Sequence, residues 1–233
     1  KISPDVTEVY KHAKVAGIRV EIPNSSVLVP IIDQLQMRAK EVEEELLSID
    51  PLTKLAEISC WRDTYAKMAV KPSKFHSSIE ALLRRVKKGQ DITTGLLIVD
   101  FYNLVSITQK APLGAYDSAK FSSSELTMRH ARTETDQFDP LGGSADAFPL
   151  NPNLVVYASG SDILCWGFNT RDSKKVCVDA TSKEVFFFSE SASEQMNGSA
   201  EATIKTMAEM LEATGLKVSE VLLLDADNNT GHL

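Results

Sequence analysis

The chain has 233 residues, of which 43% are hydrophobic and 24% charged, proportions that fit a globular protein with a substantial core. It contains 25 Lys and Arg against 32 Asp and Glu, so its formal net charge is −7 at pH 7. This balance excludes general, charge-driven binding of nucleic acid, because any contact with RNA needs a local basic patch on an acidic body.

The cysteine pattern and the absence of long apolar runs set the compartment that we expect. Cys60, Cys165 and Cys177 are odd in number and widely spaced, which indicates reduced thiols rather than a disulfide framework or a zinc site. The sequence has no run of about 18 apolar residues and no signal-peptide core at its start. We therefore predict a cytoplasmic protein with no membrane contact, no metal and no cofactor, and leave its oligomeric state open.

Hydrophobic periodicity divides the chain into helical and strand-like segments. Helices are predicted over residues 30–48, from Leu52 onward, over 77–88 and over 199–214. Strands are predicted at 15–22, 154–158, 162–168, 175–180 and 184–189, and a last strand or buried extension at 218–224. Residues 118–153 read as loops and short strands.

The helix over residues 77–88 has sequence signals at both ends. Ser77 with Glu80 three residues later forms a capping box, and Gly89 stands where a left-handed residue ends a helix. Pairing with the helix C-terminus explains one or two of the cations in its last turn. A phosphate-facing patch is the preferred use of the whole set, which is Arg84, Arg85, Lys87 and Lys88.

Residues 96–117 carry the most informative pattern. An apolar run leads into Asp100, Asn103 and Ser106, whose three-residue spacing places them near one face of a helix. A turn-forming run containing Gly114 follows and ends at Asp117. By composition alone, the pattern favours a buried helix with a polar edge followed by a loop.

The motifs of this stretch resemble the editing (B3/B4) domain of the bacterial phenylalanyl-tRNA synthetase beta subunit, and most of all the standalone proteins made of that domain. The family has a Val-Asp-x-x-Asn-x-Val helix followed by a Pro-Leu-x-Ala-aromatic-Asp turn. The matching positions here are Val99, Asp100, Asn103, Val105, Pro112, Leu113, Ala115, Tyr116 and Asp117. Trp61-Arg62 with Tyr65, and the run at 77–85, also match standalone relatives.

Two later loops match the family only in part. The family's Arg-x-Ala-x-x-Gly-Glu segment and its following glycine turn correspond to Arg129, Ala131, Glu134 and Gly142-Gly143, with Thr133 in place of a glycine. In the family's glycine-rich pocket loop, the chain keeps Gly167, Ser173 and Val176, but Asn169, Arg171 and Asp172 replace glycines and the acid. These larger, charged groups indicate that the amino acid recognised is not the tyrosine that the synthetase domain edits.

The resemblance implies an α+β fold, namely a B3/B4-like three-layer β/β/α sandwich with helices packed on mixed or antiparallel sheets. Residues 1–233 would form one domain, with an N-terminal strand and helical part (1–70), a core with the pocket (71–190) and a C-terminal helix, strand and tail (191–233). The implied activity is that of a trans-editing hydrolase, which deacylates a mischarged aminoacyl-tRNA by ester hydrolysis. The partners would be the acceptor end of a tRNA and a mischarged amino acid.

Catalysis by positioning is expected, because no convincing nucleophile is present and Gly114 stands where the family often has histidine. Asn103, Asp117 and Glu134 would orient water or the substrate amine, and the neighbouring ribose hydroxyl could assist. Asp172 and Glu134 could read a cationic side chain, such as that of canavanine. The substrate-binding set is Ser106, Gly114, Tyr116, Gly142, Gly143, Asn169, Arg171, Asp172 and Ser173, and the tRNA-binding set is Arg84, Arg85, Lys87 and Lys88.

Two alternatives to a deacylase stay open on the sequence alone. The domain could bind a tRNA end, a free amino acid or a protein partner without turnover, or it could be a degenerate relative with a structural role.

Overall fold

The computed structural model describes residues 1–121, 123 and 125–232 and arranges them as two sheets and six α-helices. The helices are α1 (Pro4–Val9), α2 (Val29–Leu47), α3 (Ala56–Lys67), α4 (Ser78–Lys87), α5 (Leu97–Gln109) and α6 (Ser199–Glu212). The strands are β1 (Lys14–Glu21), β2 (Gly114–Asp117), β3 (Thr127–His130), β4 (Gln137–Phe138), β5 (Val155–Ser159), β6 (Asp162–Trp166), β7 (Arg171–Asp172), β8 (Glu184–Ser191) and β9 (Leu222–Leu224).

The two sheets have different strand orders. The first sheet runs β2-β8-β1-β9 and is antiparallel throughout. The second runs β3-β5-β6-β4, with β7 paired to β6, and only its β4–β6 pair is parallel. None of the helices in the described part of the chain is both long and apolar enough to cross a membrane.

Strand β8 shows how the layers stack, because successive side chains of a strand point to opposite faces. Phe187 packs in the apolar layer formed with α2, α5 and α6. Phe186 and Phe188 face the other way, into the core shared with the second sheet and with α3 and α4. The first sheet is therefore covered by helices on one face and by the second sheet on the other, which confirms the predicted α+β, β/β/α arrangement.

Most predicted elements are confirmed to within a few residues, and three differ. The turn-forming run that ends at Asp117, expected as a loop, contains strand β2, which pairs with β8. The second helix begins at Ala56 rather than near Leu52, since a 3₁₀ turn at Leu52–Lys54 comes first. The predicted strand at 175–180 is wrong. The Cys177 thiol donates to the Ser173 carbonyl oxygen at 3.0 Å, so the segment folds on itself and makes only an isolated bridge from Cys177 to Tyr116.

Helix α4 begins as the sequence predicts. The Ser77 hydroxyl accepts the Glu80 N–H at 3.2 Å, and Gly89 has φ +61° just after the helix. The Glu80 carboxylate, however, bonds to Arg62 and Arg84 rather than returning to Ser77, so the capping box is only half formed.

Two glycines give the aromatic rings of β8 the space they occupy. A Cβ atom added to Gly114 would lie 2.6 Å from Phe188 Cζ, and one added to Gly17 would lie 2.6 Å from Phe186 Cε2. Phe186 and Phe188 are stacked, with ring centroids 5.4 Å apart and an interplanar angle of 16°. A side chain at position 114, such as the histidine common in the family, cannot coexist with this placement of Phe188.

We predict that Gly114→Ala lowers the free energy of unfolding by about 1–3 kcal/mol, because the new methyl group overlaps the Phe188 ring. Phe188→Leu should lower stability by itself through lost packing. The double variant should be more stable than the sum of the two single changes predicts, as measured by urea denaturation of all four proteins. Strict additivity would show that the two positions are not in contact.

Candidate functional site

Buried and partly buried polar side chains meet between the two sheets, and we call them the inter-sheet polar cluster. At its centre is Glu190, on the inner face of β8, with 1% of its surface exposed. Its Oε1 accepts a hydrogen bond from Asn169 Nδ2 at 2.7 Å, and its Oε2 accepts one from the Tyr157 hydroxyl at 3.2 Å. The cluster consists of Tyr65, Tyr116, Tyr157, Asn169, Asp172 and Glu190.

Asn169 joins the cluster to two helices. Its Oδ1 accepts hydrogen bonds from the Tyr65 hydroxyl of α3 at 2.8 Å and from the Ser78 N–H of α4 at 3.2 Å. The preceding Gly167 and Phe168 both have positive φ, at +66° and +58°, so the chain turns sharply before Asn169. The predicted substrate-binding residue Asn169 is thus fixed from three directions.

Asp172 is the second acidic member of the cluster and lies on the short strand β7. It pairs across the sheet with Cys165, and the Tyr116 hydroxyl lies 3.5 Å from its Oδ1. Burial raises the pKa of Asp172 to about 6, while hydrogen bonds from Cys165 and Tyr116 and the charge of Arg171 act in the opposite direction. At pH 7, Asp172 is therefore largely ionised.

Glu190 is perturbed more strongly. Burial raises its pKa to about 8, and the charge of Asp172 adds to the effect, whereas the hydrogen bonds from Asn169 and Tyr157 oppose it. Within the described part of the chain, neither Glu190 nor Asp172 has a salt-bridge partner. The cluster therefore holds two acids without a paired cation, an arrangement suited to a positively charged ligand.

A cavity of about 300 Å³ opens between the sheets next to this cluster. Gly17, Phe186 and Leu222 belong to its wall, and the charged side chains Arg19 and Glu184 also line it. The Tyr157 side chain connects it to the cluster, because Tyr157 lines the cavity and bonds to Glu190 through its hydroxyl. Glu190 itself is closed off from solvent.

The three residues expected to orient water do not bond to one another or to the inter-sheet polar cluster in the described part of the chain. Asp117 accepts hydrogen bonds from the Ser182 hydroxyl at 2.7 Å and from the Ala119 N–H at 3.1 Å, and so caps a 3₁₀ turn. Glu134 is exposed on a turn after β3. Asn103 is partly buried on α5, and no other described residue bonds to its side chain.

The turn after β3 that carries Glu134 is fixed by a buried ion pair. Arg129 Nη1 and Nη2 each lie 2.7 Å from an oxygen of Asp136. This bidentate geometry holds Glu134 in place at the surface.

The glycine turn lies beside Asp172. The Leu141 N–H donates to the Asp172 carbonyl oxygen at 2.7 Å, and Gly142 and Gly143 follow with φ +76° and +86° in an exposed loop. Arg171 is exposed, donates to the Leu141 carbonyl oxygen and lies over the Phe148 ring. The structure thus brings together the predicted residues Asn169, Arg171, Asp172, Gly142, Gly143 and Tyr116.

Other predicted substrate-binding residues have structural contacts. The Ser106 hydroxyl donates to the Ala111 carbonyl oxygen at 2.6 Å and so ties the end of α5 to the next turn. Ser173 is fully buried, and its hydroxyl accepts the Lys175 N–H at 3.2 Å. Gly114 contacts the Phe188 ring.

The predicted tRNA-binding cations have different partners. Arg85 Nη2 donates to the Asp91 carbonyl oxygen at 2.5 Å, and Lys87 Nζ to that of Ile49. Lys88 is exposed, whereas Arg84 turns to the buried Glu80. The basic turn therefore does not form a single patch.

Sequence reasoning missed Glu190, Tyr157 and the polar role of Tyr65. A signal for Glu190 was present, because residues 184, 186, 188 and 190 share one face of a strand and two of them are phenylalanines. Because the predicted strand ended at Ser189, Glu190 was not recognised as sharing the face of Phe186 and Phe188.

We predict that the free energy of unfolding falls between pH 6 and pH 9, because ionising the buried Glu190 destabilises the fold. The folded pKa, about 8, lies above the ordinary value of 4.5, so the stabilisation is complete below 4.5 and is lost as the pH rises through 8. Glu190→Gln should remove most of this decrease, which is on the order of a few kcal/mol. Denaturation curves of both proteins at pH 6 and pH 9 measure this difference in the free energy of unfolding.

Glu194 is an exposed acid just beyond β8 and provides the matched control. The Glu194→Gln variant should keep the pH dependence of the unchanged protein. If the free energy of unfolding of the Glu190→Gln variant depends on pH as that of the unchanged protein does, Glu190 does not titrate in this range.

Comparison with known proteins agrees with the fold. The chain matches the family described as "B3/4 domain" over residues 60–221, more than two thirds of its length. A search of curated proteins gives no significant match.

Among solved structures, the chain is similar to an N-terminal fragment of the phenylalanyl-tRNA synthetase beta-subunit from Pyrococcus horikoshii, with 14% identity and a TM-score of 0.40. The similarity covers 52% of this chain and 41% of that fragment, so the chain spans about two fifths of the solved structure's length. Since the family match extends over well more than half of the sequence, the chain belongs to the B3/4 domain family.

Proposed function

We propose that this B3/4 domain protein is a trans-editing aminoacyl-tRNA deacylase for a cationic, mistaken amino acid. The observation that carries the proposal is a pair of neighbouring acids, the buried Glu190 and the partly buried Asp172, neither of which has a salt-bridge partner among the described residues. A buried carboxylate gains most from a partner that brings both positive charge and hydrogen-bond donors. A guanidinium group, as in arginine and its analogue canavanine, supplies both.

Asp172 is the group proposed to recognise the cationic side chain. With a pKa of about 6 it carries a negative charge at neutral pH, and it lies next to the Gly142-Gly143 turn. The backbone N–H groups of these glycines bond to no described residue and could face an ester carbonyl or a phosphate. Discrimination by charge in a closed site exceeds what apolar shape alone can give.

Glu190 is the proposed general base. Its pKa of about 8 places proton exchange near neutral pH, which suits a group that takes a proton from an attacking water. The reaction forms the bond from water oxygen to the acyl carbon and breaks the bond from that carbon to the ribose oxygen, which leaves with a proton. The substrate must displace side chains around Glu190, since the acid is closed off in the free protein.

Asn103, Asp117 and Glu134 keep a place in the proposal as groups that orient the substrate amine or water. Asn103 is the strongest of the three, because its side-chain amide is uncommitted within the described residues. Asp117 would have to give up its bond to Ser182, and Glu134 would contribute from the surface turn.

We predict that Glu190→Gln lowers kcat for deacylation of canavanyl- or arginyl-tRNA by about 10²–10⁴-fold, since general-base catalysis is lost. In the unchanged protein, kcat should rise with pH and level off above about 8, after subtraction of uncatalysed hydrolysis. Glu194→Gln is the control and should keep normal kcat. If kcat in the Glu190 variant stays normal, Glu190 is not the base.

We predict that Asp172→Asn raises KM about 10- to 100-fold for a cationic aminoacyl ester and changes it little for a neutral one, because only the cation loses a charged partner. For the same reason, KM of the unchanged protein should rise as the pH falls below about 6. Assays with tRNAs carrying arginine, canavanine, tyrosine and alanine measure the selectivity. An equal change for all four would contradict charge recognition.

One observation favours the alternative of a non-catalytic module that binds tRNA or an amino acid. Asp117, one of the expected water-orienting groups, is engaged in capping a turn and bonding Ser182. Tight binding of a cationic amino acid without hydrolysis of any mischarged tRNA would establish that alternative.

A further inference from the structure

Two arginines, Arg62 of α3 and Arg84 of α4, meet at one buried carboxylate. Glu80 has no exposed surface, and its Oε1 lies 2.8 Å from Arg62 Nη1, 2.7 Å from Arg84 Nη2 and 3.7 Å from His76 Nε2. Its Oε2 is buried and has no hydrogen-bond partner among the described residues. Arg62 and Arg84, joined through Glu80, are called the arginine clamp below.

The arginine clamp has N–H donors that do not bond to Glu80. Arg62 uses only Nη1, on Glu80 and on the Pro72 carbonyl oxygen, and Arg84 uses only Nε and Nη2. Arg62 Nε and Nη2 and Arg84 Nη1 therefore have no acceptor within the described residues. The two side chains remain 25% and 39% exposed, so an anion can reach them from solvent.

Stability alone is a poor explanation for this arrangement. A buried ion pair is often no better for the fold than apolar residues of the same volume, and an unpartnered buried carboxylate oxygen is unfavourable. Two guanidinium groups also repel each other unless an acid lies between them. Both guanidinium groups contact the same oxygen, Glu80 Oε1, so Glu80 holds two planar donors close together. A guanidinium group is the side chain best suited to bind phosphate through two N–H donors.

The clamp is joined to the inter-sheet polar cluster by the first turn of α4. Ser78 lies two residues before Glu80, and its N–H donates to Asn169 Oδ1, while Asn169 Nδ2 donates to Glu190. The Tyr65 hydroxyl of α3 donates to the same Asn169 Oδ1 at 2.8 Å, so both helices that carry the clamp reach the cluster through Asn169. A ligand in the cluster and a phosphate at the clamp would lie on neighbouring parts of one surface.

We propose that Arg62 and Arg84, held together by Glu80, bind a backbone phosphate of the tRNA acceptor end. The inference rests on the proposed function for the identity of the RNA. It assigns the phosphate contact to Arg62 of α3 and Arg84 of α4 rather than to Arg85 and Lys87, which bond to carbonyl oxygens.

The test measures the affinity of uncharged tRNA for the full chain by fluorescence anisotropy, over a series of salt concentrations. Arg62→Gln and Arg84→Gln should each weaken binding by roughly tenfold at low salt and reduce the salt-dependence slope by about 1. Arg38→Gln is the matched control, since Arg38 is exposed on α2 and lines a groove with α6. It should change affinity much less.

Glu80→Gln gives the sharpest discrimination. It makes the protein more positive by one charge, so simple attraction predicts tighter binding of RNA. The proposal predicts weaker binding, because the two arginines lose the acid that aligns them. Arg84→Lys, which keeps the charge and leaves Glu80 paired with Arg62, should also weaken binding and covers the case in which the Glu80 variant fails to fold.

The proposal is overturned if both glutamine variants bind tRNA as Arg38→Gln does, if the folded Glu80 variant binds more tightly, or if the chain binds no tRNA. Deacylation of mischarged tRNA, measured in parallel, tests the proposed function separately. If mischarged tRNA is hydrolysed but the arginine clamp variants bind tRNA normally, only the phosphate contact is rejected. If tRNA binding depends on the clamp but no mischarged tRNA is hydrolysed, only the deacylase function is rejected.

Discussion

The burial of one carboxylate on an apolar strand face is the constraint that shapes the rest of the site. Glu190 shares the inner face of β8 with Phe186 and Phe188, so it enters the space between the sheets together with the core. An ionised carboxylate in such a place is strongly unfavourable without partners. The fold reduces this cost with the Asn169 amide and the Tyr157 hydroxyl, and burial raises the pKa of Glu190 to about 8.

Those partners tie the acid to distant parts of the chain. Asn169 comes from the turn after β6 and is itself held by Tyr65 of α3 and Ser78 of α4. A change of protonation at Glu190 therefore acts on the contact between the sheets and the two helices. Since a cationic ligand would favour the ionised form, ligand binding and the packing of α3 and α4 are linked through the same hydrogen bonds.

Local sequence signals predicted the helices well, and long-range contacts account for what they missed. The start and end of α4 follow from Ser77 and Gly89, which act on their own neighbours. Asn169 and Asp172 were placed in the site by family resemblance. The partnership of Glu190 with Asn169 joins residues 21 positions apart. The alternation of β8 places Glu190 on the face of Phe186 and Phe188, but no local pattern contains its contact with the turn at Gly167.

The difference between local and long-range contacts also explains why Asp117 and Glu134, which the sequence assigned to one site, lie apart from Glu190. Asp117 has the short side chain that caps its own turn, and this local use competes with a role in a shared site. Glu134 lies on a turn fixed by the Arg129–Asp136 pair. Residue type alone could not separate these acids from Glu190, because the difference between them is burial, and burial is set by the fold.

The overall charge of −7 and a proposed RNA contact are compatible, because charges act over short distances in salt. At physiological ionic strength the screening length is about 8 Å, so an approaching phosphate responds to the groups nearest to it. Near Glu80 these are Arg62, Arg84 and His76, and the carboxylate they share is buried. The acidic remainder of the surface then disfavours other contacts with RNA, which restricts binding to the face that carries the arginine clamp.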